Sequence, residues 1–375
     1  MEWGKSGPEM PHCPLAREHN ASMTAAALSR RLALVVIARD EGGRIGRLLD
    51  SARPWVDEML VLDTGSRDDT VHVARAHGAR VEFFTWCDDF SAARNRALEL
   101  ARADWHLVLD ADEWLIEGGE ALQALRDTPP GFVGAIKLRD RFDMAPGQQG
   151  EAIAWLSRVL PGDIRYAGRV HEQPQHALPV RRLPLVVGHD GYVSERLADK
   201  RGRNRRLLEQ ALAEAPGDAY LWYQLGKDCA VYDEHEPAEV AFARACELPA
   251  ASEAPWWLDL VSRRLFALKS LGRHAEAVDF AQTQMEAGAE SPDFFFTLGD
   301  LLLDLAVGQP EQAGELLPMI EDAWRRCLVL GERPEQVGAV AGRGSHLAAH
   351  NLAVVLEGTD RAAEATELRA AHPWP

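Results

Sequence analysis

Apolar and polar residues change places along the first half of the chain with the periods of strand and helix in turn. Leu32 to Ala38 (L-A-L-V-V-I-A) is an unbroken, largely β-branched apolar run and predicts a buried strand. Arg44 to Ser51 predicts a helix with Ile45, Leu48 and Leu49 on one face. Glu58 to Asp63 (E-M-L-V-L-D) predicts a second strand, followed by turn chemistry from Thr64 to Asp68. Asp68 or Asp69 is placed to cap a helix that runs through Ala76, and Gly78 stands where such a helix stops. Arg80 to Phe84 predicts a short strand, and Ser91 to Ala101 a helix capped by Asp89 or Ser91. Trp105 to Leu109 then forms an apolar run interrupted only by His106. Strands alternating with helices imply a mainly parallel sheet covered on both faces. Gly131 to Arg139 and Ile153 to Leu160 predict further strands around a loop at 144–150, M-A-P-G-Q-Q-G, and Leu183 to Val187 predicts another.

From about Asp199 the pattern shifts to long helical stretches. Ala238, Phe242, Ala245 and Leu248 fall on one helical face, and Ala277 with Ala281 repeats the start of that set 39 residues on. Leu-Gly pairs at 225–226 and 298–299 suit the first helix of tetratricopeptide-type repeats, with a plain helical bundle as the alternative. The expected organisation is a disordered leader at 1–30, an α/β domain at 31–198 and an all-α helical domain at 199–375. Residues 1–22 are polar, carry prolines at 8, 11 and 14 and lack the apolar core of a signal peptide, and Met23 is an alternative start.

Composition narrows the partners. A length of 375 residues suits two domains, and 46% hydrophobic with 26% charged residues is ordinary globular composition. A net charge of −17 argues against nucleic acid, whose phosphates require a basic surface. Five cysteines, at 13, 87, 229, 246 and 327, lack pairing or metal-ligand spacing and read as free thiols of a reducing, cytoplasmic compartment. No apolar run approaches the roughly 20 residues of a membrane span.

The chemistry concentrates in D-W-H-L-V-L-D-A-D-E-W-L, Asp104 to Leu115. A buried strand breaks there into Asp110, Asp112 and Glu113, and residues two apart in extended chain face the same way. Two such carboxylates make a hard oxygen site suited to Mg²⁺ or Mn²⁺ bridging phosphates. Arg39, Asp40 and Glu41 follow the first strand and Asp63 ends the second, so three polar clusters fall on the carboxyl edge where α/β sheets bind ligands. Gly4-Lys5-Ser6 lacks the preceding glycine of a P-loop. In His171-Glu172-Gln173-Pro174-Gln175-His176 the histidines are five apart instead of four, and Pro174 breaks the helix a zinc protease needs. E-G-G-R-I-G at 41–46 approximates a dinucleotide-binding turn, but Glu41 stands where its first glycine belongs and would repel a pyrophosphate.

I-A-R-D-E (37–41), V-L-D-T-G-S-R-D-D-T (61–70), D-D-F-S-A-A-R-N (88–95) and W-H-L-V-L-D-A-D-E (105–113), in this order, resemble family 2 glycosyltransferases of the GT-A fold. R-V-H-E-Q, H-D-G-Y and K-R-G-R-N-R-R-L-L ahead of helical repeats resemble the subgroup that contains peptide S-glycosyltransferases of bacteriocin clusters. Asp40 departs from the asparagine usual in that subgroup. The resemblance implies a Rossmann-like GT-A domain ahead of a tetratricopeptide-like one. It also implies inverting transfer from a nucleotide-diphosphate sugar, a UDP-sugar first, to a peptide, protein or glycan acceptor. Asp63 would contact base or ribose, with Ala38, Arg39 and Asp40 lining that pocket. Asp110 and Asp112, around Ala111, would place the divalent metal on the diphosphate, and His189 would complete its shell. Arg94 would contact diphosphate or sugar, and the basic island of Lys200, Arg201, Arg203 and Arg205 would close over the diphosphate. Glu172, 60 residues past Asp112, would be the general base, with His171 beside it as the other candidate. Three function classes follow: an active transferase, favoured by the intact Asp110-Ala111-Asp112; a lapsed sugar-nucleotide domain serving as a scaffold; and a dinucleotide-binding oxidoreductase.

Overall fold

A computed structural model describes residues 29–145, 148–192, 202–249 and 251–374. Most of the expected leader, Cys13, Met23, Lys200 and Arg201 lie outside the described residues.

The first half is built on β1 (Leu32–Ala38), α1 (Ile45–Ala52), β2 (Glu58–Asp63), α2 (Thr70–Ala76), β3 (Arg80–Phe83), α3 (Phe90–Ala101) and β4 (Trp105–Val108). β5 (Glu113–Glu117), a 3-10 helix over Gly119–Asp127, β6 (Val133–Ala145), β7 (Gln148–Pro161), β8 (Arg165–Ala167), β9 (Gln173–Gln175) and β10 (Val180–Tyr192) follow. The main sheet runs β3-β2-β1-β4-β7-β6-β10-β5, and β8 pairs with β9 beside it. Pairings among β3, β2, β1 and β4 are parallel, as is β6 with β10, while β7 runs antiparallel to both its neighbours and β5 antiparallel to β10. The sheet is therefore mixed, its parallel part carrying the predicted strand–helix alternation.

β1 shows why the sheet is covered on both faces. Leu32, Leu34 and Val36 point into one apolar layer with Ile45, Leu48 and Leu49 of α1. Ala33 and Val35 point into the other, with Ala93, Ala97 and Leu98 of α3. Asp89 caps α3 by accepting from Ala92 N at 3.0 Å. The second hairpin is longer than its apolar runs predict: β6 and β7 pair from Gly134–Val159 out to Ala145–Gln148, taking residues of the expected 144–150 loop into strand. Antiparallel partners continue a ladder through polar residues that carry no apolar signal. β10 likewise outruns Leu183–Val187, with Pro184 accommodated where its register with β6 shifts between Arg182 and Val186.

His106 of β4 is 1% exposed. Its Nε2 accepts weakly from Ala103 N at 3.4 Å. Burial first, and then the Arg165 charge, push its pKa down to about 4. The unfolded chain therefore binds the extra proton between about pH 6.5 and 4, so stability falls as pH drops through that window, by up to about 1.4 kcal/mol per unit. His106→Leu should flatten that part of the melting profile. It should not abolish the slope, because His171 is also lowered to about 4, by burial and then Lys227. Thermal melts from pH 7 to 4 check this, and a slope unchanged by the substitution would contradict it.

The second half is helical: α4 (Arg203–Glu214), α5 (Ala219–Val231), α6 (His235–Glu247), α7 (Trp257–Ser270), α8 (His274–Gln284), α9 (Pro292–Gly308), α10 (Ala313–Leu330), α11 (His346–Gly358) and α12 (Ala362–Ala371). From α5 on they stack as successive helix pairs. Both Leu-Gly pairs sit at tight crossings: a Cβ on Gly226 would lie 2.3 Å from the Phe242 ring, and one on Gly299 2.5 Å from the Trp324 indole. The connection between α10 and α11 folds back over the start of α9, where Val340 N (3.2 Å) and Arg343 Nη1 (2.8 Å) both donate to Asp293 Oδ1. Leu207 and Leu208 of α4 pack with Val170, Trp86 and Phe90 of the sheet half and with Leu221 and Leu225 of α5. Arg206 bonds Asp88 at 2.8 Å across the same junction. This docking carries Tyr220 of α5 to the rim of the sheet, where its hydroxyl accepts from Gln173 Nε2 at 3.0 Å. No helix among the described residues is long and apolar enough to cross a membrane.

Candidate active site

Because β1, β2 and β4 are parallel neighbours, their carboxyl ends form one rim. Asp63 closes β2 and is 3% exposed. Its Oδ1 accepts from Gly65 N at 3.0 Å and Ser66 N at 3.1 Å, while Oδ2 is buried without a partner. Beside it, Ala38 is buried and its carbonyl accepts from Thr64 N at 2.9 Å. Asp40 sits in the left-handed region at φ 57. Asparagine and aspartate are among the few non-glycine residues that tolerate that backbone, so the departure from asparagine keeps the turn. Asp40 Oδ1 accepts from Arg67 N at 2.7 Å, and Asp40 N donates to Ser66 Oγ at 3.0 Å, locking the loops after β1 and β2 together. Arg39 is exposed beside them.

The same loops answer the dinucleotide reading. Gly42 N donates to Asp68 Oδ2 at 2.9 Å and Glu41 N to Thr70 Oγ1 at 2.7 Å. The glycine turn is closed by the chain's own oxygens instead of presenting amides to a pyrophosphate.

After β4 the chain turns tightly at Asp110–Asp112, with Glu113 N donating to Asp110 O at 3.0 Å, and enters β5, the edge strand that pairs with β10. β10 lies antiparallel to β5 with His189 opposite Glu113, which brings His189 Nε2 to 3.4 Å from Asp112 Oδ2. Ala111 is 6% exposed and packs into the core layer under α1. β7 lies antiparallel to β4 with Val159 opposite Leu107, so Arg158 reaches the end of β4. Its Nη2 donates to Asp110 Oδ2 at 2.7 Å and to Glu113 Oε1 at 2.9 Å. Arg94, 6% exposed on α3, donates from Nη2 to Asp110 Oδ1 at 2.5 Å and from Nε to Glu172 Oε1. Asn95 next to it pins β8 to α3, giving Nδ2 to Tyr166 O at 2.9 Å and accepting Tyr166 N at 2.8 Å. That anchor, with Phe90 N donating to Arg169 O at 2.8 Å, sets the turn that ends in His171 and Glu172. The turn needs φ 102 at Gly168 and holds His171 at φ 52.

Charge follows this geometry. Burial opposes ionisation of Asp110, but Arg158 and Arg94 reverse that and hold its carboxyl far below the usual range. Glu113 is pushed up to about 7: burial raises it, Arg158 pulls it back, and the Asp110 charge adds to the rise. Arg203, at the start of α4, is lowered by burial and then by Arg39, with Glu41 and Asp112 acting the other way, which places it over the same rim. Arg205 turns instead into the helical half and pairs with Glu234 at 2.5 Å.

The structure thus brings together Ala38, Arg39, Asp40, Asp63, Arg94, Asp110, Asp112, Glu172, His189 and Arg203. Lys200 lies outside the described residues. Arg158, Tyr166 and Asn95 were missed as site residues, and Glu113 was read only as one of three acids. The available signal for Arg158 was a lone charge in the apolar stretch I-A-W-L-S-R-V-L.

Known proteins are similar to this chain in the same region. A TPR repeat-containing protein of Synechococcus elongatus is 39% identical over 222 residues, 54% of this chain and 53% of that protein. The SPbeta prophage-derived glycosyltransferase SunS of Bacillus subtilis is 28% identical over 212 residues, 54% of this chain and 50% of that protein. An uncharacterized glycosyltransferase of Rickettsia typhi is 35% identical over 113 residues, 30% of this chain and 36% of that protein. The chain spans about half the length of the first two. Residues 33–158, which hold β1 to β4, the Asp110–Asp112 turn and Arg158, match the family model described as Glycosyl transferase family 2.

Proposed function

We propose that the protein is an inverting glycosyltransferase that moves a sugar from a nucleotide-diphosphate donor, a UDP-sugar first, to a peptide or protein side chain (Cys or Ser/Thr) or a glycan. The observation that carries the reading is Asp63 Oδ2, a buried carboxylate oxygen without a partner on the rim that also holds Asp110 and Asp112. A buried acceptor left open in this way suits a base N–H or ribose hydroxyl. Ala38, Arg39 and Asp40 line the same end, and Arg203 covers it as a cation for the diphosphate.

Asp112 and His189 offer an oxygen and an imidazole nitrogen on adjoining strands, a donor pair that fits Mn²⁺ or Mg²⁺. Asp110 fits less well, since both its oxygens already accept from arginine. A divalent ion there would offset charge on the departing diphosphate. Glu172 holds the proton acceptor's place at the other end of the Arg94 bridge, and the acceptor attacks the anomeric carbon from the face opposite the diphosphate. In this reading residues 31–198 form the transferase domain, and the helical half, 199–375, presents the acceptor beside Tyr220 and Gln173.

A panel of nucleotide sugars with Mn²⁺, followed for slow release of the nucleoside diphosphate, tests the reading. Release from one sugar nucleotide, lost with chelator, is expected, and no release or binding with any member of the panel would defeat it.

A further inference from the structure

The acids and arginines behind the rim form a closed circuit. Glu113 Oε2 accepts from Asp110 N at 2.8 Å, Glu113 Oε1 and Asp110 Oδ2 share Arg158 Nη2, and Asp110 Oδ1 accepts from Arg94 Nη2. Arg94 then reaches Glu172 from Nε. Nε and Nη2 lie along one edge of the planar guanidinium, so that single edge holds two carboxylates from distant parts of the chain side by side. The side chains of Arg94, Arg158, Glu172 and Glu113 are 7, 12, 8 and 3% exposed and that of Asp110 is 36%, so solvent reaches the pairs mainly at Asp110.

We propose that Arg94 and Arg158 are positioning residues that act through Asp110: Arg158 fixes the turn that presents Asp112, and Arg94 ties Glu172 to that same turn. One guanidinium thereby sets the spacing between the donor end and the acceptor end of the site. The kinetic part rests on the glycosyltransferase reading, while the tie itself rests on distances alone. Arg94 consequently serves the site from behind instead of contacting the diphosphate. A lysine at 94 keeps the charge but replaces the Nε and Nη2 pair with one ammonium, which cannot hold two carboxylates along an edge. At 158, where Nη2 alone serves both acids, it removes the planar group that fixes their directions.

The test uses the full chain with Arg94→Lys, Arg158→Lys and Glu172→Gln. Donor KM and kcat are measured for each, together with melting in chelator without nucleotide. Arg158→Lys should raise donor KM about tenfold with kcat nearly unchanged. Arg94→Lys should lower kcat about 10²-fold, since a shift of about 1 Å in a reacting group costs that much. The melting effects of Arg94→Lys and Glu172→Gln should be non-additive in the double variant. Wild-type KM and kcat in both lysine variants would reduce the circuit to a structural role and overturn the proposal. So would an Arg94→Lys effect confined to donor KM, which marks direct contact with the donor. If wild type turns over no sugar nucleotide, the glycosyltransferase reading falls, and the melting cycle alone then decides: non-additivity keeps the tie, additivity removes it.

Discussion

Asp112→Asn should abolish the metal-dependent stabilisation of the protein by UDP while the protein stays folded. Asp112 meets His189 at 3.4 Å, so neutralising it removes a carboxylate oxygen from the donor pair proposed for the metal. A ligand at about 100 times its Kd adds roughly 2.7 kcal/mol to wild-type stability. For a chain of this size that is a shift of several degrees, which a thermal melt resolves. Asp110→Asn should behave in the opposite way. It leaves Arg94 and Arg158 facing a neutral amide, so the ligand-free protein itself should lose about 2 kcal/mol. That lies below the 3–5 kcal/mol typical of a broken buried pair, because the Asp110 side chain is 36% exposed. Two acids that read alike in Asp110-Ala111-Asp112 are thus separable: one by its ligand response, the other by its fold. Equal stabilisation of wild type by UDP with and without chelator would show the metal role to be wrong.

What the sequence revealed and hid follows from range. Local signals were legible: the two-face alternation of β1, the Asp89 cap, the turn after β2 and the acids at the carboxyl rim all depend on residues a few positions apart. The Leu-Gly pairs were legible for the same reason, and the structure supplies their cause in the Phe242 and Trp324 rings. Register between distant strands was not legible. Arg158 enters the site only because Val159 falls opposite Leu107, and a slip of one residue would turn its side chain to the other face. Arg94 was picked out as a contact for the diphosphate or sugar. Its helix position promised a ligand anion, and the fold brings two of the chain's own carboxylates to it first. Asn95 was quoted in the same motif without a role, because its partner is a backbone strand 71 residues away.

Glu172→Gln should report both the base and the acceptor. In an inverting displacement the acceptor loses its proton as it attacks. A serine or sugar hydroxyl is too weak an acid to ionise unaided, so a base contributes about 10² to 10⁴-fold. A cysteine thiol, with an ordinary pKa near 8.5, is already a few per cent thiolate at neutral pH. Glutamine keeps the size of Glu172 and an oxygen for Arg94 Nε but loses the proton-accepting charge. Transfer to a hydroxyl acceptor should therefore fall by about 10² to 10⁴-fold. Transfer to a thiol should fall by less than about tenfold and recover as pH rises toward 8.5. His171→Ala is the control. Its imidazole is neutral at pH 7, with a pKa lowered to about 4 by burial and then by Lys227, and so weak a base gains little by taking a hydroxyl proton. It should retain most of its activity with either acceptor. Normal transfer to a hydroxyl by Glu172→Gln, with His171→Ala inactive, would move the base by one residue and show that Arg94 holds Glu172 for structure alone.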